Sequence, residues 1–175
     1  MKDFLRLALI LFLFCGISAG LLAFFNQFTR ERIEGQALSE KAEALRTVFP
    51  DADSFPETEP GRRWDAMKGQ DRIGTVFQVS PMGYSGQITA VCGLDKEGRI
   101  TGMRVLSHTE TAGLGAKITT AAFQDQFKGK TIDQIALKKD DAAKGAIDAI
   151  AAATVSSRAV TRAVRAGAAA QGGTK

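Results

Sequence analysis

Cysteine, histidine and the larger aromatics are scarce in this chain. Its 175 residues hold two cysteines, one histidine, one tryptophan and one tyrosine. Cys15 falls in an apolar N-terminal run and Cys92 in the polar remainder, so no intrachain disulfide is expected. One histidine and one cysteine outside the apolar run fall short of a zinc or iron–sulfur ligand set. Any redox chemistry must then come from an organic cofactor or from a partner. An excess of charge of one sign is also missing. The formal net charge is +4, and the basic residues are scattered among acids. No Lys/Arg block interleaves with aromatics, so nucleic-acid binding is not expected. No serine sits in a nucleophile elbow, and His108 reads as a polar loop residue.

The long apolar run is what the chain does have. Leu7 to Phe25 is uncharged. At helical rise it spans about 28 Å, close to the thickness of a bilayer core. Lys2 and Arg6 precede it, and Arg30 and Arg32 follow among acids, so the charge bias across it is weak. Ser18, Ala19 and Gly20 keep a cleaved signal peptide open. The run nevertheless continues beyond them, longer than a signal core, and favours an uncleaved anchor. Cys15 is a poor lipid-attachment site because bulky Phe14 precedes it. Residues 1–6 are then a cytoplasmic N-terminus and 7–25 a transmembrane anchor.

Residues 26–73 read as a membrane-proximal stretch. The first part, 26–36, is a polar exit. Leu38, Ala42, Leu45 and Val48 recur at helical spacing, which predicts an amphipathic helix over 37–49, stopped by Pro50. Pro56, Pro60 and several charges make 51–73 an irregular connector. Residues 74–170 read as one domain, with a short tail at 171–175. Strands are predicted at 74–80, 87–94 and 100–107, the last two joined by a hairpin turn with Gly98 at positive φ. Residues 119–128 read as a helix capped by Gly129, 137–147 as polar loop, and 156–170 as a second helix. Strands followed by helices, without strict alternation, predict an α+β fold: an antiparallel sheet with flanking helices, preceded by one transmembrane helix.

Two segments are candidates for chemistry. The loop His108-Thr109-Glu110-Thr111-Ala112-Gly113-Leu114-Gly115-Ala116-Lys117 sets two glycines around one leucine. Glycines let backbone approach a flat ligand closely while Leu114 covers its face. Thr109, Glu110 and Thr111 would supply hydrogen bonds to the ligand's edge. From composition alone the simpler reading is a strand-to-helix turn. It is neither a P-loop nor a dinucleotide fingerprint, because the glycine spacing fails both. The second segment is Asp148–Ser157, where Thr154 follows three alanines and precedes a helix. A phosphate on Thr154 would meet free N–H groups at the helix start, including those near Ser156, with Arg158 and Arg162 adding charge. Spacing alone makes Thr154 or Ser156 a helix cap instead. Tyr84 and Trp64 read first as core or rim residues and second as ligand-packing ones.

Together the segments resemble the FMN-binding domain family. Gly83-Tyr84-Ser85-Gly86 matches a GYSG-type element. Residues 108–115 match a loop of the form H-x-E-T-x-G-L-G, and Asp148 to Thr154 match an attachment pattern D-x-x-S/T-G-A-T. Ala151 stands where Ser or Thr is usual and Ala152 where Gly is usual, a place that glycine fills for a backbone angle or a close approach that alanine resists.

The resemblance implies covalent FMN held on Thr154 by a phosphoester, installed by a flavin transferase using FAD, with Asp148 part of what the transferase reads. It implies that Glu110, Thr111, Gly113, Leu114 and Gly115 line the isoalloxazine site, and that Ala153 and Ser156 lie beside the attachment point. Thr154→Ala is expected to abolish attachment, and Ser156→Ala and Thr119→Ala to leave it intact. The implied function is electron transfer within a membrane-bound, ion-translocating complex of the Rnf type. Its other membrane, iron–sulfur and flavin subunits would be partners. The domain would face the periplasmic side of the inner membrane. The alternatives are a component of another membrane redox system and an assembly module without flavin.

Overall fold

The computed structural model describes residues 2–172. It divides into two units, residues 1–40 and 41–175. A single helix, α1 (Lys2–Val48), begins in the first and ends in the second. Within it, Phe4–Gln27 is long and apolar enough to cross a membrane. The predicted polar exit and the predicted helix at 37–49 are thus stretches of one continuous helix. Leu38 and Ala42 are exposed, so the expected apolar stripe shortens to the last turns. There Ala44, Leu45 and Val48 are buried beside Phe49.

The second unit is built on one five-stranded antiparallel sheet in chain order: β1 (Glu57–Glu59), β2 (Arg63–Lys68), β3 (Asp71–Val79), β4 (Ile88–Asp95) and β5 (Ile100–His108). The irregular connector expected at 51–73 is therefore largely sheet. Trp64 and Ala66 alternate inward along β2 between charged neighbours, a period-2 pattern too short to outweigh the flanking prolines. β1 is three exposed residues at the sheet edge, a place that tolerates Pro56 and Pro60 beside it. The β4–β5 hairpin turns as predicted. The Asp95 N–H donates to Arg99 O at 2.9 Å, and Gly98 takes φ +76°.

Both faces of the sheet are covered, which is why its central strands are almost wholly apolar. One face carries Ile88, Ala90, Cys92 and Leu94 of β4 with Phe77 and Val79 of β3. Against it pack Phe123 of α2 (Ala121–Gln124), Phe127, Ile118, Ile135, Leu137 and Ile147, and Val160, Val164 and Ala168 of α3 (Thr154–Gly172). The other face sets Val76 and Val91 against Ala44, Leu45, Val48, Phe49, Trp64 and Ala66. Burial pushes the Cys92 thiol far upward, leaving it a core residue and not a nucleophile. The stretch 137–147, expected as polar loop, is pinned at both ends: Leu137 and Ile147 are buried and bridge each other in parallel.

Phe123 and Phe127 meet edge to face with centroids 5.5 Å apart under the sheet. Phe127→Ala should therefore destabilise the chain by about 3–5 kcal/mol. Urea unfolding followed by the fluorescence of Trp64, the one tryptophan, measures this. A loss below about 1 kcal/mol would contradict the packing described, since truncating a buried phenylalanine leaves a cavity.

Candidate functional site

The two segments singled out from sequence are separated in the chain by α2 and the buried stretches around it. In the fold they close on one cavity of about 440 Å³. That volume lies in the range of small-molecule sites, roughly 300–1,000 Å³. Glu110, Thr111, Leu114 and Gly115 form one wall. Ala152, Ala153, Thr154, Val155 and Ser156 form the other, and Tyr84 joins them in the lining. Of the residues expected here, Gly113 lies outside the lining; its φ of +76° turns the loop instead. Asp148 also lies outside. Its carboxylate pairs with Lys138 Nζ at 2.7 Å, and its N–H donates to the Gln126 side chain.

Helix α3 places Thr154. Val160, Val164 and Ala168 bury its inner face, so its axis is fixed by the core. Its start is fixed by Ser157, whose Oγ donates to Ala153 O at 2.9 Å and accepts the Ile150 N–H at 3.1 Å. The Ser157 N–H closes the first helical turn on Ala153 O. The N–H groups of Thr154, Val155 and Ser156 therefore precede the first intrahelical bond and have no partner within the helix. They are the groups that would face a phosphate at this end. The motif reading passes over Ser157. A serine at the fourth helical position, able to bond back to the turn before it, is the signal that would find it.

The turn into α3 explains the departures at 151 and 152. The Ala153 N–H donates to Ile150 O at 3.0 Å, closing a four-residue turn. Ala152 is its third residue and takes φ +61°, alone among the described non-glycine residues in being positive. A turn with positive φ at that position favours glycine.

Glu110 is the buried charge of the site, only 7% exposed. Its Oε2 accepts the Ser156 hydroxyl at 2.5 Å, and its Oε1 accepts the Ser85 N–H at 3.1 Å. Burial pushes its carboxyl upward. The Ser156 hydroxyl and the N–H groups of Ser85, Tyr84 and Gly86 outweigh that and hold it below the ordinary glutamate value. Its own N–H donates to His108 Nδ1 at 3.2 Å, a local structural role for the one histidine. Ser85 and Thr111 hydroxyls meet at 3.1 Å across the same junction. Ser156 is thus more than a neighbour of Thr154, and the expectation that Ser156→Ala is neutral no longer holds. It removes a hydrogen bond to a buried carboxylate, worth about 1.5–3 kcal/mol.

The arginines expected to add charge are placed elsewhere. Arg158 Nε and Nη2 each donate to Asp140 at 2.6 Å. Arg162 reaches the same carboxylate at 4.0 Å. The Arg158 guanidinium holds the Asp140 carboxyl below its ordinary value, and the pair lies outside the cavity lining. Among the described residues no cluster of His, Cys, Asp and Glu is arranged to hold a metal ion.

Comparison with known proteins bears on this cavity. Residues 83–169 match the family described as FMN-binding domain, and residues 1–48 match the RnfG N-terminal region. The RnfG protein of the ion-translocating oxidoreductase complex of Stutzerimonas stutzeri is 37% identical, covering 90% of this chain and 76% of that protein. Its counterpart in the proton-translocating ferredoxin:NAD(+) oxidoreductase complex of Clostridium ljungdahlii is 30% identical, covering 86% and 82%. Among solved structures, the NqrC protein of the Na(+)-translocating NADH-quinone reductase from Parabacteroides distasonis superposes with a TM-score of 0.54 at 22% identity. That match covers 65% of this chain and 62% of that one, and shows the fold alone.

A depressed carboxyl pKa in the folded chain adds stability that is complete above the unfolded value, about 4.3, and is lost as pH falls through the folded value. Glu110 should therefore contribute to acid unfolding. Glu110→Gln is expected to flatten the stability profile below about pH 4.3. Urea midpoints measured across that range check it; parallel wild-type and variant profiles would remove Glu110 from the acid response.

Proposed function

The chain belongs to the RnfG family of ion-translocating oxidoreductase complexes, whose domain is the FMN-binding domain, and from that premise we propose that it carries FMN covalently on Thr154 and passes electrons within such a complex. The observation that carries the proposal is the position of Thr154. It is the first residue of α3, half-buried in the wall of the cavity that the 110–115 loop also lines.

The residues present fit the group. Tyr84, Leu114 and Val155 offer apolar surface at the cavity, suited to a flat ring. The free N–H groups at the start of α3 suit a phosphodiester. Thr111 Oγ1 and the cavity backbone are placed to bond a ring edge. A threonine hydroxyl is a weak nucleophile without an activating base. The carboxylate in the lining, Glu110, is a weak base already engaged by Ser156 and Ser85, so an external flavin transferase is part of the reading. In that step Thr154 Oγ forms the new bond to the FMN phosphorus of FAD. The pyrophosphate P–O bond breaks, AMP leaves, and the hydroxyl proton passes to the transferase. Asp148, exposed and outside the cavity, is available to the transferase. When bound, FMN supplies one- and two-electron chemistry; the protein holds and shields it. The lining carries no dinucleotide fingerprint, so partner subunits would exchange electrons with it. The apolar segment Phe4–Gln27 fits a membrane anchor, with the domain on the periplasmic side.

Co-expression with a flavin transferase, followed by a denaturing gel viewed under ultraviolet light, tests attachment. The wild-type band should fluoresce and Thr154→Ala should be dark; a fluorescent Thr154→Ala band would refute the site. Ala152→Gly should raise stability by roughly 0.5–1 kcal/mol, because relief of the left-handed alanine exceeds the entropy glycine adds to the unfolded chain. It should also speed labelling. Slower labelling would show that the turn is not what limits attachment.

A further inference from the structure

We propose that Glu110 is a positioning residue that assembles the cavity before any ligand arrives, and that Gly83 and Gly115 are glycines because its carboxylate fills the space beside them. The carboxylate joins segments far apart in the chain. Ser85 lies 25 residues before it and Ser156 lies 46 after it. One oxygen holds the Tyr84 loop, and the other holds the first turn of α3. Both are hydrogen bonds to an ion and stronger than neutral ones. A buried carboxylate is costly unless its oxygens are answered, so the three segments are stable together and not apart.

The glycines belong to the same device. A Cβ built on Gly83 would collide with Glu110 Oε1 and lie 3.0 Å from Cδ. Its other near neighbour is Ile88 Cδ1 at 2.7 Å, the flexible end of a side chain. A Cβ on Gly115 would collide with Glu110 Oε2 and lie 2.9 Å from its Cβ and 3.1 Å from Ser156 Oγ. Gly113, in the same loop, meets nothing and is explained by its φ alone. The space at Gly83 and Gly115 is thus occupied by protein. Close approach of a flat ligand, the sequence-based reason for the loop glycines, is not what makes Gly115 a glycine. Assembly is a property of the unloaded chain; only its use for a flavin rests on the function proposed above.

A double-mutant cycle on the full-length chain in detergent, purified without transferase, tests this. Urea midpoints are read from Trp64. Gly83→Ala should lower the midpoint in the wild type and add no further loss in Glu110→Ala, where the vacated space takes the methyl. In Glu110→Gln the space stays filled, and the Gly83→Ala loss should persist. Losses that simply add in the Glu110→Ala background would overturn the proposal, as would a Glu110→Gln background in which Gly83→Ala costs nothing.

Tyr84 is the one tyrosine, so fluorotyrosine gives a single ¹⁹F signal from the loop that Glu110 holds. Glu110→Ala should shift that signal toward free fluorotyrosine. Glu110→Gln, which keeps an acceptor for Ser85 and a donor for Ser156, should leave it near the wild-type position. An unmoved signal in Glu110→Ala would also overturn the proposal. The outcomes separate from those of the gel. A coupled cycle with a dark wild-type band removes the flavin and keeps the clasp; a fluorescent band with additive losses does the reverse.

Discussion

A carboxylate taken out of water must be answered by donors, and the cavity is organised around that requirement. Glu110 sits just beyond the end of β5, on the loop leading away from the sheet. Its donors come from a loop before β4 and from the first turn of α3. None of these three segments is rigid alone. Each is short, glycine-bearing or at an element's end, where backbone groups lack partners. Binding all three to one ion turns three weak boundaries into one junction. The depressed carboxyl pKa expresses the same fact: the charged form is preferred in place, despite burial.

The junction is held to the fold by the doubly covered sheet. Helix α3 is carried on β3 and β4 by Val160, Val164 and Ala168, and Ser157 ties the turn before it to that frame. The opposite face is closed by the last turns of α1, where Thr101 Oγ1 donates to Val48 O at 2.7 Å. Thr154 therefore inherits its position from the core, while remaining part of the cavity wall. This division suits a carrier. The cofactor's chemistry needs a fixed distance and a shielded ring more than a set of reactive side chains.

Much of this is legible in the sequence, and the gaps have physical causes. Strands β3 to β5 and the Gly98 turn follow from period-2 burial and hairpin chemistry. The helix carrying Phe123 and Phe127 is present, but as one α turn followed by a 3₁₀ turn. β1 and β2 hide from sequence because edge strands are short, charged and bounded by proline, as a connector is. The apolar stripe of 37–49 extends too far back on paper, since the spacing of Leu38 and Ala42 continues a pattern that no core meets. Motifs identify both walls of the cavity, yet spacing cannot show that they meet; that depends on the sheet between them. The arginines of α3 look free for a phosphate because Asp140 lies 18 residues before Arg158 in sequence. The loop glycines suggest a ligand because a sequence cannot show which side chain fills the space beside them.

Ala152 is where local preference and the site disagree. The turn from Ile150 to Ala153 needs a residue at positive φ, and alanine in that region costs about 1–2 kcal/mol relative to the right-handed region. The turn persists because both of its ends are tied: Ala153 N–H to Ile150 O, and Ile150 N–H to Ser157 Oγ. Both ties also set the start of α3, so relaxing Ala152 to negative φ would move Thr154 and break the bonds that fix it. The strain is thus tolerated by the same contacts that place the threonine, as held-over backbone strain at functional sites generally is. A methyl at this position also adds bulk to the cavity wall, beside the group that an external enzyme would have to reach. Conformation and access therefore press the same way, toward glycine. That an alanine stands here means the frame around it, and not the turn's own preference, determines where Thr154 lies.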